Sequence, residues 1–132
     1  MRVTVHVDGG SRGNPGPAAA GAVLTSGDGE VLDRTGELLG DATNNVAEYH
    51  GLLLGISRAR ELGATEVEIF NDSELVAHQV NGRYKVKHAD MKPLHAEALA
   101  ALAGFDAWSL TPVRREQNAE ADAIVNETLD AA

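Results

Sequence analysis

Alternating apolar and polar residues open the chain and predict its first β-strand. Val3, Val5 and Val7 are separated by polar residues, and the pattern ends at Asp8. Successive side chains of a strand point to opposite faces, so Asp8 is predicted on the face opposite the valines. The strand then enters a segment rich in glycine and proline, GGSRGNPGP, where missing Cβ atoms allow another backbone to approach closely.

The rest of the chain alternates between strand-like and helix-like periods. Further strands are predicted over Ala18 to Ser26, Glu30 to Leu39, Glu66 to Asn71 and Asp106 to Val113. Helices are predicted from Asn44 or Asn45 to about Leu62, from Asp72 or Ser73 to near Asn81, from about Lys92 to Ala103, and from a cap at Asn118 to about Leu129. The order βββαβααβα predicts an α/β fold, in which a five-stranded mixed sheet is flanked by helices.

The predicted connections bring two acidic residues together. The first three strands are expected to form an antiparallel meander, with a hairpin turn at Gly27-Asp28-Gly29. The strand at Glu66 follows a long helix, which predicts a right-handed crossover and parallel pairing with the first strand. Asp8 and Asp72 then lie at the carboxyl ends of neighbouring parallel strands, where open α/β sheets bind ligands.

Composition limits the class of protein. The 132 residues are expected to form one domain, 1–132, because 43% hydrophobic residues suffice for a core. The sequence has no cysteine, which excludes disulfides and thiolate metal sites and favours a reducing, cytoplasmic location. No apolar run approaches the length of a membrane span, so no membrane association is expected.

The net charge of −9 argues against a general nucleic-acid coat protein, which carries a basic face. Two interpretations of the acidity remain open. The acidic residues are either ordinary solvated surface, or some of them converge on divalent cations.

Four acidic residues are candidates for such a site, and each has a simpler interpretation. Glu48 lies on the same helical face as Leu52, where a carboxylate is costly unless it is paired or binds a metal; it also suits a helix N-terminus. Asp72 is a plausible helix cap, and Asp122 a plausible surface acid. Together with Asp8 they form an oxygen-only ligand set, which suits Mg²⁺ or Mn²⁺.

Four segments resemble, in the same order, the motifs of type 1 ribonuclease H: VDGGSRGNPGP, TNNVAEYHGLLLGI, IFNDSELV and RREQNAEADAIVN. The chain is most similar to the compact actinobacterial and archaeal-type domains of that family. The resemblance implies a ribonuclease H-like fold and an endonuclease that cleaves the RNA strand of RNA–DNA hybrids. It also implies two Mg²⁺ ions, with Mn²⁺ as a substitute, and products with 5′-phosphate and 3′-hydroxyl ends.

The same resemblance implies roles for individual residues. Asp8, Glu48, Asp72 and Asp122 would be the catalytic, metal-binding carboxylates, with Asp8 and Asp72 shared by both ions. Glu48 would also contact the ribose 2′-hydroxyl, the group that distinguishes RNA from DNA. Substrate contacts are implied for Gly9, Gly10, Asn14, Thr43, Asn44 and Asn45, although turn and cap chemistry also explains the asparagines.

Two departures from the family pattern affect substrate binding. The loop before the last helix, TPVRREQN, has no histidine, and Arg115 is expected to contact a phosphate, to steady the acids, or to form only a surface ion pair. The basic handle of some members is reduced to GRYKVKHADMK. The cations of this segment are candidates for the DNA backbone, or they belong to a charged loop: Arg83, Lys85, Lys87 and Lys92.

Other functions are compatible with parts of the sequence but are less favoured than hybrid cleavage. Nucleases of the same fold with other substrates are disfavoured by the DGGSRGNPGP and TNNVAEY segments, and a silent hybrid-binding module is disfavoured by the presence of all four acids. The expected partner is an RNA–DNA hybrid, and the expected oligomeric state is a monomer. Some family members carry a C-terminal phosphatase-type domain, which leaves open a longer native chain.

Overall fold

The computed structural model describes residues 1–132. Its strands and helices follow one another in the predicted order. The strands are β1 (Arg2–Ser11), β2 (Gly16–Thr25), β3 (Val31–Ala42), β4 (Glu66–Asn71) and β5 (Ala107–Pro112). The helices are α1 (Asn44–Glu61), α2 (Glu74–Val80), α3 (Lys92–Leu102) and α4 (Ala119–Asp130), with a 3₁₀ turn at Arg115–Asn118. None of these helices has both the length and the apolar character needed to cross a membrane.

The five strands form one mixed sheet in the order β3-β2-β1-β4-β5. β1 pairs antiparallel with β2, and β2 pairs antiparallel with β3, which confirms the meander. β1 and β4 are parallel, with Val7 opposite Asn71, and β5 is parallel to β4. Asp8 and Asp72 therefore directly follow the last paired residues of two neighbouring parallel strands, as predicted, although β1 continues past Asp8 to Ser11 in its pairing with β2.

The two faces of β1 contact different helices. Val3, Val5 and Val7 are fully buried in the main core, on the face that α1 covers. A side chain at Gly51 of α1 would overlap the carbonyl group of Asp8, so the helix lies directly against the strand. On the opposite face, a Cβ atom added at Gly10 would lie within contact distance of the Val125 side chain in α4. By alternation, the Asp8 side chain shares the α4 face, as predicted.

Several element ends differ from their predictions because side chains with local partners determine them. The cap of α1 is Thr43, whose Oγ1 accepts a hydrogen bond from Val46 N at 3.2 Å, and not Asn44 or Asn45. For α2 the cap is Ser73, one of the two predicted alternatives. The predicted end of α1 at about Leu62 is one residue late: the helix ends at Glu61, and Leu62, its C-cap, is 38% exposed.

Asn118 stands at the start of α4 but does not cap it with a side-chain hydrogen bond. Its Nδ2 instead donates to the carbonyl oxygen of Val7 at 2.9 Å. The cap prediction is therefore wrong in its chemistry, because the 3₁₀ turn before α4 rotates this buried amide toward β1.

Candidate active site

Three carboxylates from separate parts of the sequence meet at the edge of the sheet. Asp8 is in β1, Glu48 is in the first turns of α1, and Asp72 directly follows β4. One oxygen of each lies within 4.8 Å of an oxygen of the other two. Asp8 and Glu48 are only 5% and 9% exposed, so this carboxylate cluster is largely removed from solvent.

The backbone of β1 orients Glu48. The N–H of Gly9 donates to Glu48 Oε1 at 2.6 Å. A side chain at position 9 would overlap the carbonyl group of Ala47, so only glycine permits this approach of strand to helix. The glycine next to Asp8 therefore has a structural task that the sequence did not reveal, the positioning of a second carboxylate.

Burial makes Asp8 and Glu48 hold their protons more tightly than ordinary carboxyl groups do. Burial, followed by the negative charge of Asp72, raises the pKa of Asp8 to about 7. Burial and the neighbouring Asp8 also raise the pKa of Glu48 well above its ordinary value. Arg115 forms the only ion pair with these three acids: its Nε lies 3.9 Å from Asp72 Oδ2, and its side chain is 84% exposed. Asp8 and Glu48 thus have no ion-pair partner, and the all-oxygen donor set of the cluster fits a divalent cation.

Asp122 lies near the cluster but outside it. It belongs to α4 and lines the same open cleft of about 960 Å³ as the three clustered carboxylates. It is not among the residues whose oxygens all lie within 4.8 Å of one another. The structure therefore brings three of the four predicted acids together and places Asp122 on the wall of the cleft.

A buried amide joins the helix of Asp122 to the strand of Asp8. The hydrogen bond from Asn118 to Val7 connects the residue four positions before Asp122 with the residue just before Asp8. This link was missed in the sequence, because an asparagine at a helix start is typical of a cap.

Outside the basic segment, the residues predicted to contact substrate divide into two groups. Gly9, Gly10, Asn44, Asn45 and Arg115 line the cleft.

The other two, Asn14 and Thr43, do not line the cleft and instead make hydrogen bonds near the start of α1. Asn14 Oδ1 accepts from the N–H of Asn44 at 3.1 Å, while Asn44 Oδ1 accepts from Ser11 N at 2.9 Å. Asn14 thereby connects the glycine-rich loop to α1, whereas Thr43 only caps α1.

The basic segment borders a second groove. Arg83, Lys85 and Lys87 are exposed and line this basic groove, which has a volume of about 500 Å³. Lys92 lies apart from it, at the start of α3. Asn45 lines both the cleft and the basic groove, so the two are adjacent.

Comparison with known proteins identifies relatives along the whole chain. A family model described as reverse transcriptase-like matches residues 6–128. A ribonuclease HI of Halobacterium salinarum is 45% identical over 131 residues, which cover 99% of this chain and 66% of the relative. A bifunctional protein of Mycobacterium tuberculosis is 47% identical over 133 residues, and the match covers all of this chain but only 36% of the relative.

Solved structures agree in fold. The crystal structure of ribonuclease H1 from Halobacterium salinarum superposes with a TM-score of 0.98 at 45% identity, covering 100% of both chains. A structure of LC11 ribonuclease H1 in complex with an RNA/DNA hybrid superposes with a TM-score of 0.93 at 36% identity, covering 98% of this chain and 97% of the other.

Proposed function

Because this chain belongs to the type 1 ribonuclease H family, we propose that it is a metal-dependent endonuclease that hydrolyses the RNA strand of RNA–DNA hybrids. The observation that carries the proposal is the convergence of Asp8, Glu48 and Asp72 within 4.8 Å at the edge of an open cleft. The similarity to LC11 ribonuclease H1, whose structure holds an RNA/DNA hybrid, supports this choice of substrate.

The proposed cofactor is a pair of Mg²⁺ ions, for which Mn²⁺ can substitute. Hard divalent cations prefer carboxylate oxygens, and such ions would stabilise the ionised forms of Asp8 and Glu48, which burial alone disfavours. Asp8 and Asp72 would hold both ions, Glu48 would hold one, and Asp122 would complete the coordination of the other from the wall of the cleft. Such ions lower the pKa of an attacking water and stabilise the charge on the leaving oxygen.

The residues of the chain position the scissile phosphodiester. Gly9 and Gly10 present bare backbone to the cleft, which lets the RNA strand approach the carboxylates. The Glu48 carboxylate contacts the ribose 2′-hydroxyl, and Arg115 contacts a phosphate beside Asp72. Water attacks phosphorus and the bond to the 3′ oxygen breaks, so the proposed products carry 5′-phosphate and 3′-hydroxyl ends.

The DNA strand is proposed to follow the basic groove. Arg83, Lys85 and Lys87 concentrate positive charge on a chain whose net charge is −9. Phosphates of the uncleaved strand are the natural partners for these cations, because backbone contacts dominate nucleic-acid affinity. So small a patch predicts binding that weakens steeply with salt.

The decisive experiment uses labelled RNA–DNA hybrid with Mg²⁺ or Mn²⁺, alongside single-stranded RNA, duplex RNA and duplex DNA. We expect cleavage of the hybrid's RNA strand only, with 5′-phosphate ends, and loss of that cleavage in Asp8→Asn and Asp72→Asn. Binding without cleavage in either metal would instead identify a silent hybrid-binding module. Undiminished cleavage by the two variants would refute the metal mechanism.

The wider context of the domain is also a proposal. Residues 1–132 are proposed to form one catalytic domain that acts as a cytoplasmic monomer. The chain spans only 36% of the mycobacterial relatives, one of which is named a bifunctional protein, and this supports a longer native chain with a C-terminal phosphatase-type domain. Light scattering of the purified chain would test the monomeric state.

A further inference from the structure

A buried hydrogen bond joins two helices behind the carboxylate cluster. The hydroxyl of Tyr49 in α1 donates to Gln79 Oε1 in α2 at 2.5 Å. Tyr49 is fully buried, and Gln79 is only 4% exposed. No other side-chain hydrogen bond connects α1 with α2, so this bond is the specific polar link between them.

Both helices carry or support a clustered carboxylate. Glu48 immediately precedes Tyr49 in α1, and Asp72 immediately precedes Ser73, the cap of α2. The Tyr49–Gln79 bond therefore spans the elements that hold Glu48 and Asp72. A rotation or shift of one helix against the other would change the separation of the two carboxylates.

Gln79 also reaches the basic groove. Its backbone carbonyl lies 3.1 Å from His95 Nε2, and its Oε1 is held by Tyr49. Gln79 lines this groove together with Arg83 and Lys85. One buried residue thus bonds to α1 through its side chain and borders the groove in which the DNA strand is proposed to lie.

We propose that Tyr49 and Gln79 form a positioning pair, which sets the separation of Glu48 and Asp72 and connects it to the basic groove. This inference rests on the proposed metal-dependent function. The close contact of Gly51 with Asp8 leaves α1 little freedom to approach β1, so the hydrogen bond mainly restricts rotation of the helix. Metal ligands must be held closely to bind well, because affinity depends on coordination geometry.

The test uses Tyr49→Phe, which removes only the hydroxyl, Gln79→Met, which removes the amide at similar size, and the double variant. Calorimetric titration of each substrate-free protein with Mn²⁺ measures metal affinity directly. We expect each single variant to weaken Mn²⁺ binding by about threefold to tenfold, the effect of one lost hydrogen bond. The double variant should bind Mn²⁺ no more weakly than the single variant with the lower affinity, because all three variants lack the same hydrogen bond.

Hybrid cleavage and thermal unfolding complete the test. Well below the unfolding temperature, kcat at a fixed Mn²⁺ concentration should fall in both single variants, and KM should rise further in Gln79→Met because this residue lines the basic groove. The control is Leu102→Val, a truncation in the core of α3. It should lower Tm but leave Mn²⁺ affinity and kcat within about twofold, since Leu102 lines neither the cleft nor the basic groove.

The outcomes separate the two proposals. If Tyr49→Phe and Gln79→Met lower Tm as the control does, but leave Mn²⁺ affinity and kcat unchanged, the pair is structural and the inference is wrong. If the variants weaken Mn²⁺ binding while the wild type fails to cleave hybrid, the positioning pair stands and the proposed substrate is wrong. Absence of Mn²⁺ binding by the wild type overturns both.

Discussion

The backbone N–H of Gly9 donates a 2.6 Å hydrogen bond to the carboxylate of Glu48, which lies 39 residues further along the chain. Gly9 follows Asp8, so one peptide of β1 presents the first carboxylate and orients the second. The contact requires α1 to lie against the strand without an intervening Cβ. Strand and helix are thus held together at the point where the carboxylates meet.

Gly9→Ala should disrupt this contact. The added methyl group would lie 2.6 Å from Glu48 N and still closer to the Ala47 carbonyl group, so α1 must move away from β1. We expect unfolding free energy to fall by about 1–3 kcal/mol, as for other overpacked sites, and hybrid cleavage to fall at least tenfold. Denaturant unfolding and cleavage rates measure the two effects.

The matched control is Gly10→Ala. Its methyl group would meet only Val125 Cγ1 at 3.5 Å, an ordinary contact distance. Its unfolding free energy should stay within about 0.5 kcal/mol of the wild type. Equal destabilisation by both substitutions would contradict the proposed role of the Gly9 approach.

Asp8→Asn should stabilise the metal-free protein at high pH. The pKa of Asp8 is raised from 3.8 to about 7 in the folded chain, so the folded state holds its proton more tightly than the unfolded state. The stability contribution of this group is therefore full below about pH 4 and is lost as pH rises toward 7. Asparagine cannot ionise, so the variant does not lose this stability. A pKa raised by about one to three corresponds to about 1–4 kcal/mol of folding free energy.

Thermal unfolding in EDTA at pH 4 and pH 8 measures the effect. Asp8→Asn should raise Tm at pH 8 and leave it nearly unchanged at pH 4. Mn²⁺ at pH 8 should raise Tm of the wild type more than that of the variant, because ligands stabilise the state that binds them. A variant less stable than the wild type at pH 8 in EDTA would show that Asp8 carries no such electrostatic cost.

Asp122→Asn should be milder than Asp72→Asn. Asp72 belongs to the group of oxygens within 4.8 Å, whereas Asp122 lies outside that group on the cleft wall. We expect Asp72→Asn to lower the rate by about a thousandfold or more and Asp122→Asn by about ten- to a hundredfold, because Asp72 would hold both proposed ions and Asp122 only one. Single-turnover cleavage in Mn²⁺ compares them, and equal losses would contradict this division of roles.

Asn118→Ala should lower both stability and activity. The substitution leaves the buried Val7 carbonyl without its side-chain donor, which costs about 1–3 kcal/mol. It also removes the hydrogen bond that holds the start of α4, and with it Asp122, to the strand that carries Asp8. We therefore expect a lower kcat even at temperatures at which the variant is fully folded.

A suitable control for Asn118→Ala is Asn126→Ala, which removes an exposed amide within the same helix. Its unfolding free energy should change by less than about 0.5 kcal/mol. If Asn118→Ala is equally harmless in denaturant unfolding, the link between α4 and β1 has no energetic role.

Lys85→Gln should reduce the salt dependence of hybrid binding. Each phosphate contact contributes about 0.9 to the slope of log affinity against log salt. Fluorescence anisotropy with labelled hybrid in Ca²⁺ should show a slope smaller by about that amount. Arg34→Gln, which removes an exposed cation from β3, should leave the slope unchanged. Equal slopes for the two variants would place the DNA strand elsewhere.

Local patterns in the sequence predicted most of the fold. The alternation of Val3, Val5 and Val7 determined which face of β1 is apolar, and the order of strands and helices predicted the parallel pairing of β1 with β4. Adjacency in the sheet then predicted that Asp8 and Asp72 meet. These features depend on residues close in sequence or on general rules of chain connection, so they can be predicted from the sequence alone.

The tertiary structure decided which side chains find one another across the fold. Thr43 rather than Asn44 caps α1, Asp122 stands outside the carboxylate cluster, and Asn118 bonds to Val7. The Tyr49–Gln79 bond likewise has no signal in either segment. Each depends on distances of a few ångströms between elements far apart in sequence, which periodicity does not encode. The sequence alone thus identified the four acidic residues. The distances between them and the hydrogen bonds that hold them in place arise only when the helices pack on the sheet.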